Sequence, residues 1–358
     1  MTLPVLASVD LQQLKNQIQV WSGELGFDGI GISDTEISAA EQYLFSWLKG
    51  GCHGEMGYLA RHGTRRSRPA ELIPGTIRVI SVRMNYWCDT ASSATAILSD
   101  PEAAYISRYA LGRDYHKIMR KKLQQLADRI TSEVEGFQFR AFVDSAPVME
   151  KPLGVKSGLG WMGKHTNLID RDTGSWFFLG ELYTDLPLPF DTPQKDNCGS
   201  CTRCIAACPT NAITAPYELD ARLCISYLTI EHKGSIPEPL RALIGNRIFG
   251  CDDCQLVCPW NRDAPQTQLN EFAPRHDLNA STLIELFQWN ESEFERKTAG
   301  SPIRRAGYEC WLRNLAIALG NAPTSKPVTD ALLLRLSYPS ALVREHTTWA
   351  LQRHGVLR

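Results

Sequence analysis

The chain has 358 residues, a formal net charge of −1 and a hydrophobic content of 43%. This length is sufficient for two or three domains, and the hydrophobic content supports folded cores, which excludes a disordered protein. A charge this close to neutral also argues against a protein that coats nucleic acid by charge alone.

The first half of the chain predicts alternating helices and strands. Apolar residues at steps of three and four predict an amphipathic helix over 11–25, which Asp10 caps and Gly26 ends. A second long helix and four strands are predicted at 115–134, 30–32, 78–82, 139–143 and 176–182. This alternation indicates an α/β or α+β layer domain over residues 1–185.

A proline-rich boundary at residues 186–189 precedes a region that contains eight of the eleven cysteines. The first cluster of cysteines reads C-x2-C-x2-C-x3-C-P and the second reads C-x2-C-x3-C-P, with a lone cysteine between them. In two-cluster ferredoxins, the cysteine after the x3 gap binds the other 4Fe–4S cluster. The spacing therefore predicts two 4Fe–4S clusters, one held by Cys198, Cys201, Cys204 and Cys258, and the other by Cys208, Cys224, Cys251 and Cys254.

Two other uses of these cysteines are less consistent with the spacing. Zinc ribbons usually offer two C-x2-C pairs and not a triple followed by x3-C-P. Disulfides need an oxidising compartment, and nothing in the sequence indicates export. The isolated Cys52, Cys88 and Cys310 are predicted to be packing residues.

After about residue 280 the pattern becomes helical. The stretches 311–320 and 342–351 resemble each other, and their arginines, Arg313 and Arg344, are 31 positions apart. Such repetition predicts stacked helix pairs of a HEAT-like kind. Residues 301–358 carry eight Lys and Arg against three Asp and Glu. This basic end indicates either an anionic partner or a solvated helical face.

Residues 1–10 have no basic or apolar region of a signal peptide. No stretch approaches the length of uninterrupted apolar sequence that a membrane span needs. We therefore expect a cytoplasmic protein without a membrane partner, and a reducing compartment suits unpaired thiols.

The first 185 residues are expected to hold the chemistry that the clusters serve. The glycine-rich run at Gly154, Gly158, Gly160 and Gly163 lacks the strand-turn-helix setting of a dinucleotide site, so we expect it to let the backbone approach a flat cofactor. The pair Asp114 and His116 does not complete a cobalamin-binding D-x-H-x2-G motif. From the residues alone, the chain is a redox enzyme with an unidentified cofactor.

Several segments resemble the epoxyqueuosine reductase family, and both cysteine clusters follow in the family's order. The matching segments are residues 107–116, 143–147, 157–164, 174–181 and 250–254. The family is similar in its core to reductive dehalogenases. The resemblance implies an enzyme that reduces epoxyqueuosine to queuosine at the tRNA wobble position, the last step of queuosine biosynthesis, with reduced cobalamin fed by two 4Fe–4S clusters.

The fold that this resemblance implies is of the α+β class and has three consecutive parts. Residues 1–185 are expected to form a nitroreductase-like cobalamin-binding catalytic domain, and residues 186–265 a ferredoxin-like domain. Residues 266–358 are expected to form the HEAT-like helical domain that binds tRNA.

The resemblance also assigns residues. Asp144 is the implied proton donor, and we expect burial against a corrin and apolar neighbours to raise its pKa. The implied cobalamin-binding residues are Arg66, Ser107, Asp144, Gly163, Leu168, Asp170, Leu179, Ser226, Asp252 and Asp253. Lys233 matches a lysine near the substrate tRNA, and charge placement adds Arg304, Arg305, Arg313 and Arg344 as contacts to the anticodon arm. An external one-electron donor and a monomeric state are also expected.

Three other functions are compatible with parts of the pattern. A cobalamin-dependent reductive dehalogenase shares the core and the clusters but typically carries an export signal and lacks a basic helical end. A ferredoxin-type electron-transfer module would bind no corrin tightly. A passive tRNA-binding protein with structural metal would have no redox-active cluster.

Overall fold

The computed structural model describes residues 9–88 and 91–358. Residues 1–8 therefore lie outside the described residues, and with them most of the N-terminal segment in which no signal peptide is predicted. The α-helices are α1 Leu11–Glu24, α2 Ser38–Lys49, α3 Pro69–Leu72, α4 Ala91–Ser99, α5 Tyr115–Glu133, α6 Glu150–Lys156, α7 Arg203–Ala207, α8 Ile225–Ile230, α9 Glu238–Ile244, α10 Asp253–Leu256, α11 Leu283–Gln288, α12 Glu291–Lys297, α13 Tyr308–Asn321, α14 Lys326–Leu333 and α15 Ala341–Arg353. The strands are β1 Gly29–Ser33, β2 Arg78–Asn85, β3 Tyr105–Ile106, β4 Phe139–Val143, β5 Trp161–Met162, β6 Leu168–Ile169, β7 Phe177–Thr184, β8 Ile213–Ala215, β9 Glu218–Leu219 and β10 Arg247–Phe249. In the ranges described, no helix is long and apolar enough to cross a membrane.

The chain forms two compact units, and each unit is built from three separate segments. Of the described residues, the first unit contains 9–86, 115–202 and 259–269, and the second contains 87–114 without 89 and 90, 203–258 and 270–358. These boundaries differ from the three consecutive domains expected from the sequence. Most of the cysteine region shares a unit with the C-terminal helices and with a segment from the first third of the chain.

A four-stranded antiparallel sheet forms the centre of the first unit. Its strand order is β1-β2-β7-β4, so the strands at 30–32, 78–82, 139–143 and 176–182 are confirmed as members of one sheet. Strand β7 is buried along its whole length. Because side chains alternate across a strand, Gly180 approaches Leu123 of α5 while Leu179 approaches Gly154 of α6. The two helices therefore cover opposite faces of the sheet.

The two long helices predicted in this unit are also confirmed. Helix α1 begins at Asp10, whose carboxylate accepts hydrogen bonds from the backbone N–H groups of Gln12 and Gln13 at 2.9 and 3.0 Å. The chain leaves this helix through Gly26, which has a φ of +85°. Helix α5 buries one stripe of side chains at steps of three and four, including Met119, Leu123, Leu126 and Ile130.

The glycine-rich run allows close packing within the protein itself. A Cβ atom on Gly160 would lie 2.2 Å from the carbonyl oxygen of Ile169, and one on Gly158 would lie 2.7 Å from that of Thr192. The space beside these two glycines is occupied by backbone. The expectation that the run lets the backbone approach a flat cofactor stays a prediction, and at these two positions the missing Cβ makes room for protein backbone.

The second unit is mainly helical. Helix α13 is buried from Cys310 to Gly320 and packs against α15, which contains the second of the two similar sequence stretches. A Cβ atom on Gly320 would lie 2.7 Å from the ring of Trp349, so the glycine sets the close approach of these helices. The helical character of residues beyond 280 is confirmed. Strands β3 and β10 pair in parallel in the same unit.

Candidate functional site

Asp144 lies directly after strand β4 and faces the first turn of helix α5. Nε2 of His116 lies 2.6 Å from Oδ1 of Asp144, and the Tyr115 hydroxyl donates to Oδ2. The Asp144 side chain is 37% exposed, whereas the His116 side chain is 6% exposed. The expected burial of Asp144 against a corrin and apolar neighbours stays a prediction; in the protein alone, its carboxylate lies just beyond the end of β4 and accepts two hydrogen bonds.

An aromatic stack holds Tyr115 in place behind Asp144. The rings of Tyr115 and Phe178 are nearly parallel, with centroids 3.9 Å apart, and Tyr86 packs on Phe178 at 4.6 Å. The ring of His116 stacks on Tyr115 at 4.0 Å. The roles of Tyr115 and His116 were missed by sequence reasoning, although both residues end the family-like segment 107–116. Their partner, Asp144, is 28 positions away from His116 in the chain.

Two carboxyl groups, the buried Glu181 and the half-buried Glu150, accompany this site on the α6 side of the sheet. Glu181 of β7 is fully buried, and neither of its carboxyl oxygens has a hydrogen-bond partner among the described residues. Burial, followed by the charges of Glu150 and Asp144, raises the pKa of Glu181 well above its usual range. Burial, followed by the charge of Asp144, raises the pKa of Glu150 to about 8. Burial therefore favours the protonated form of both carboxyl groups, and a pKa of about 8 keeps Glu150 mainly protonated at neutral pH.

Several residues expected to line a corrin lie in the first unit. Leu168 and Leu179 belong to one apolar cluster, and Gly163 is buried next to Ile169. Arg66 is buried and its guanidinium donates to the carbonyl oxygens of Leu59 and Tyr58 at 3.1 and 3.2 Å.

Asp170 has a different environment from these residues, because it is held by protein groups. It forms a 2.8 Å ion pair with Arg83 and accepts hydrogen bonds from the backbone N–H groups of Asp172 and Thr173. Burial opposes its charge, but the hydrogen bond and charge of Arg83 lower the pKa of Asp170 below its usual value. Its carboxylate therefore fixes the turn that follows β6.

The carboxylate of Asp252 is likewise committed to protein groups, here within the second unit. It is 1% exposed and accepts hydrogen bonds from the Ser107 hydroxyl at 2.6 Å, the Tyr105 hydroxyl at 2.8 Å and the Arg108 backbone N–H at 2.8 Å. Ser107 and Asp252, both predicted to bind the cofactor, are thus hydrogen-bonded to each other. These bonds fix the loop that carries Cys251.

The two residues that complete this group of predicted contacts lie nearby in sequence. Asp253 forms a bidentate ion pair with Arg247, with distances of 2.6 and 2.5 Å. Ser226 is half-buried in α8. Tyr105 and Arg247, which hold the two aspartates, were missed by the sequence because neither lies in a recognisable ligand pattern.

None of the eleven cysteines, all of which lie in the described residues, forms a disulfide. The set Cys208, Cys224, Cys251 and Cys254 lies entirely in the second unit. Burial, followed by the nearby Cys224, raises the pKa of Cys254 well above its usual range. Thiolates crowded in a buried place need a cation, and the irons of a cluster supply one. Cys310 is buried in α13, as expected of a packing residue.

The remaining cysteine ligands expected from the sequence lie at the two ends of the cysteine region. Cys198 and Cys201 belong to one turn, in which the N–H of Cys201 donates to the carbonyl of Cys198 at 3.0 Å. Cys204 and Cys258 are buried. No group of three or more His, Cys, Asp or Glu side chains within residues 9–88 and 91–358 is arranged around a single metal ion.

The basic residues expected to contact tRNA fall into two groups. Arg304 and Arg305 are half-exposed and form ion pairs with Glu295 and Asp114. The exposed Lys233 donates to the carbonyl oxygens of Arg305 and Ala306, each at 3.1 Å. Lys233 therefore holds the end of the 3₁₀ helix at 302–306 that carries both arginines.

Arg313 and Arg344 are bound to backbone carbonyls. Arg313 is fully buried, and its guanidinium donates to the carbonyl oxygens of Leu228, His232 and Gly234. It cannot contact a phosphate, so this prediction is wrong. Arg344 is half-buried and donates to Tyr338 and Pro339, each at 2.7 Å.

Known proteins account for nearly the whole chain. The family described as "Epoxyqueuosine reductase QueG, DUF1730" matches residues 66–145, and the "4Fe-4S double cluster binding domain" matches residues 197–261. The epoxyqueuosine reductase of Pseudomonas aeruginosa is 59% identical over 98% of this chain and 97% of its own length. This chain belongs to the epoxyqueuosine reductase family.

Solved structures agree with this family membership. A crystal structure of epoxyqueuosine reductase with an epoxyqueuosine-modified tRNA-Tyr stem loop is 27% identical, with a TM-score of 0.88, over 97% of this chain and 91% of that chain. An epoxyqueuosine reductase structure from Bacillus subtilis, whose catalytic loop is swung out of the active site, has a TM-score of 0.86 at 27% identity over 96% and 91% of the two chains. The family expected from the sequence is confirmed, as is the double-cluster segment.

Proposed function

We propose that this enzyme reduces epoxyqueuosine to queuosine at the wobble position of tRNA, the last step of queuosine biosynthesis, in the cytoplasm. The observation that carries the proposal is the near full-length identity to the Pseudomonas aeruginosa enzyme. The acids Glu150 and Glu181 and the His116–Asp144 pair support it, because the reaction consumes protons. Removal of an epoxide oxygen as water takes two electrons and two protons.

Asp144 is the proton donor in this proposal. It is the exposed member of its group, and Tyr115 and His116 approach it from the protein side. Their hydrogen bonds stabilise the carboxylate that remains after a proton is given to the leaving oxygen. A proton on Nε2 of His116, which is 2.6 Å from Oδ1, can then restore the acid.

Glu150 and Glu181 are a second source of protons next to Asp144. Burial favours the protonated form of both, and the charge of Asp144 contributes to the raised pKa of each. Proton loss from either group leaves a buried negative charge, which becomes favourable only when a positive charge comes close. We therefore assign them a supply role and not direct contact with the substrate.

Cobalamin in its reduced form supplies the electrons for cleavage of the carbon–oxygen bond when it is bound. Nε2 of His116 is engaged by Asp144 and would not be available to the cofactor. The residues of this unit that we propose to contact the cofactor are Arg66, Asp144, Gly163, Leu168 and Leu179. Asp170 acts through Arg83 and the turn that follows β6.

The eight cysteines of the double-cluster segment hold the two 4Fe–4S clusters in the sets given by their spacing. The N–H of Ala212 donates to Sγ of Cys208 at 3.2 Å, a type of hydrogen bond that tunes cluster potential. An external one-electron donor feeds the clusters.

The tRNA anticodon arm is held by Lys233, Arg304, Arg305 and Arg344, and the helices that follow residue 280 form the HEAT-like scaffold behind them. Arg304 and Arg305 are half-exposed and lie on one 3₁₀ helix, so their charges can meet successive phosphates.

Nucleoside mass analysis tests this function. Epoxyqueuosine-containing tRNA is incubated anaerobically with the cobalamin-loaded, chemically reduced protein, and we expect loss of one oxygen from the modified base. Asp144→Asn should lower the rate by about 10²- to 10⁴-fold, the usual contribution of general acid catalysis. Asp128→Asn, on the exposed face of α5, is the matched control.

Three outcomes are distinguishable in this experiment. An intact epoxide with wild-type protein, when both cofactors are shown to be reduced, refutes the function. Full activity of Asp144→Asn keeps the function and rejects the acid. Loss of activity in both variants indicates damage to the fold, which cluster content and corrin absorbance would reveal.

A further inference from the structure

Lys164 is a buried cation that has no carboxylate partner. It lies in the turn between β5 and β6, and 8% of its surface is exposed. Its Nζ donates to the carbonyl oxygens of Gly199 and Cys201, at 2.6 and 2.9 Å. Neither acceptor carries a full negative charge, and Lys164 forms no ion pair in the described part of the chain.

This arrangement is unusual on energetic grounds. Transfer of an ammonium group from water into a protein interior costs several kcal/mol unless an opposite charge compensates it. Two other buried cations of the first unit have such a partner: Lys15 pairs with Asp191 at 2.6 Å, and Arg83 pairs with Asp170 at 2.8 Å. Arg66, like Lys164, donates to backbone carbonyl oxygens instead. Among the described residues, no negatively charged side chain thus compensates the buried charge of Lys164.

The place where Lys164 is anchored indicates which anion is missing. Both acceptor carbonyls belong to the turn of the first cysteine motif, and one of them is the carbonyl of Cys201 itself. A 4Fe–4S cluster with thiolate ligands is anionic, and it gains a further negative charge on reduction. A fixed cation beside the cluster favours the reduced state more than the oxidised state.

We propose that Lys164 is the built-in counter-charge of the 4Fe–4S cluster that takes Cys198 and Cys201 as ligands, and that it raises the reduction potential of this cluster. The inference rests on the cluster assignment made above and adds a tuning residue to it. Lys164 is a positioning residue, because the cysteine turn holds its ammonium group and its charge acts on the cluster from there.

The test is a redox titration, followed by electron paramagnetic resonance, of the anaerobically reconstituted full-length protein. Lys164→Gln keeps a hydrogen-bond donor for the two carbonyls but removes the charge. It should lower the equilibrium constant for one-electron reduction of one cluster by about tenfold, a shift of about 59 mV to more negative potential. The second cluster should keep its potential.

Two further variants separate charge from loop fastening. Lys164→Arg keeps the charge, so both potentials should stay at the wild-type values. Lys122→Gln is the matched control, because Lys122 also donates to a backbone carbonyl, that of Leu25 at 2.6 Å in the same unit. It should leave both potentials unchanged.

The outcomes that would overturn the inference are also distinct. Unchanged potentials in Lys164→Gln, at wild-type iron content, reject the counter-charge. If Lys164→Gln loses a cluster, Lys164→Arg decides: loss of the cluster there as well shows that the side chain only fastens the turn. Absence of two 4Fe–4S signals from the wild-type protein refutes the cluster assignment instead, and with it the proposed function.

Discussion

Arg313 shows, at the scale of a single residue, how a charged side chain can hold a loop that has no regular structure. Its guanidinium reaches the carbonyl oxygen of Leu228 near the end of α8 and those of His232 and Gly234 in the loop that follows, at 2.7, 2.7 and 2.8 Å. Its neighbour Asn314 donates to the carbonyls of Thr229 and Ile248, each at 2.9 Å. Helix α13 therefore supplies hydrogen-bond donors to segments on two sides.

Replacement of Arg313 by methionine should destabilise the protein by about 3–5 kcal/mol, because buried carbonyl groups lose their donors. Urea unfolding followed by circular dichroism measures this change. Lys326→Met, at a position that is 84% exposed on α14, should change the free energy of unfolding by less than about 0.5 kcal/mol. Equal stability of the two variants would contradict the structural role of Arg313.

The same residue shows what a sequence can and cannot predict about a site. Charge and sequence repetition led to the prediction that Arg313, like Arg344, contacts tRNA. The burial of Arg313 depends on which segments pack around α13, and the charge pattern does not contain this information. Asp144 was identified through a short family-like segment. Its partners His116 and Tyr115 were not, because their contact joins two elements that are separated in the chain and requires the sheet to form first.

At the scale of elements, local patterns predicted the two long helices and the four strands of the central sheet in the first unit, but not α2, α6 or the β5–β6 pair. The predicted strand at 139–143 coincides with β4, and the helix predicted at 115–134 ends one residue later than α5. The strand order was not predictable in the same way. Strand β7 lies between β2 and β4, a position fixed by pairing between residues about a hundred positions apart.

The glycines provide a prediction at this scale. Gly160→Ala should destabilise the β5–β6 region by about 1–3 kcal/mol, because the added Cβ would lie 2.2 Å from the carbonyl oxygen of Ile169. Gly23→Ala in α1 has no atom within 4 Å of the added Cβ, so it should stabilise the protein by up to about 1 kcal/mol through helix propensity. Thermal unfolding of the two variants should therefore shift in opposite directions, and shifts of the same sign would contradict this explanation.

At the scale of the whole molecule, three consecutive domains were expected and two units with interleaved segments are observed. Composition shows where the proline-rich boundary and the cysteine region begin. It does not show that residues 87–114 belong to the same unit as the C-terminal helices. That association depends on contacts such as the parallel pairing of β3 with β10 and the hydrogen bonds that Asp252 accepts from Ser107 and Tyr105. Such contacts leave no periodic signal in the sequence.

The proposed docking of tRNA makes a prediction about salt dependence. The double variant Arg304→Gln/Arg305→Gln should weaken binding of the anticodon stem loop and reduce the slope of log K against log salt by about one to two. Lys326→Gln is the control, since Lys326 is also exposed and paired with an acid, Asp330. An unchanged slope in the double variant would mean that Arg304 and Arg305 do not contact tRNA phosphates. Their role would then be limited to the ion pairs with Glu295 and Asp114.

Buried titratable groups in both units make stability depend on pH in two opposing ways. Burial lowers the pKa of His165 and of His346 to about 4 in each case. Between pH 4 and 6.5 the unfolded chain binds protons at these histidines that the folded chain does not bind, so stability rises with pH. Glu150 and Glu181 act in the opposite direction, because the folded protein keeps protons that the unfolded chain releases above pH 4.5.

These effects oppose each other up to pH 6.5, and only the carboxyl groups contribute from there to about pH 8, the pKa of Glu150. The free energy of unfolding should therefore fall between pH 6.5 and 8, by about 1.4 kcal/mol per pH unit for each carboxyl group that stays protonated. The double variant Glu150→Gln/Glu181→Gln keeps the shape of both side chains but removes both titratable groups. Its free energy of unfolding should therefore be nearly constant over this range. Urea unfolding of the two proteins at pH 6.5 and 8 measures the difference. A parallel fall in both proteins would place the titrating groups elsewhere, whereas a flat wild-type profile would mean that Glu150 and Glu181 are already ionised in the folded state.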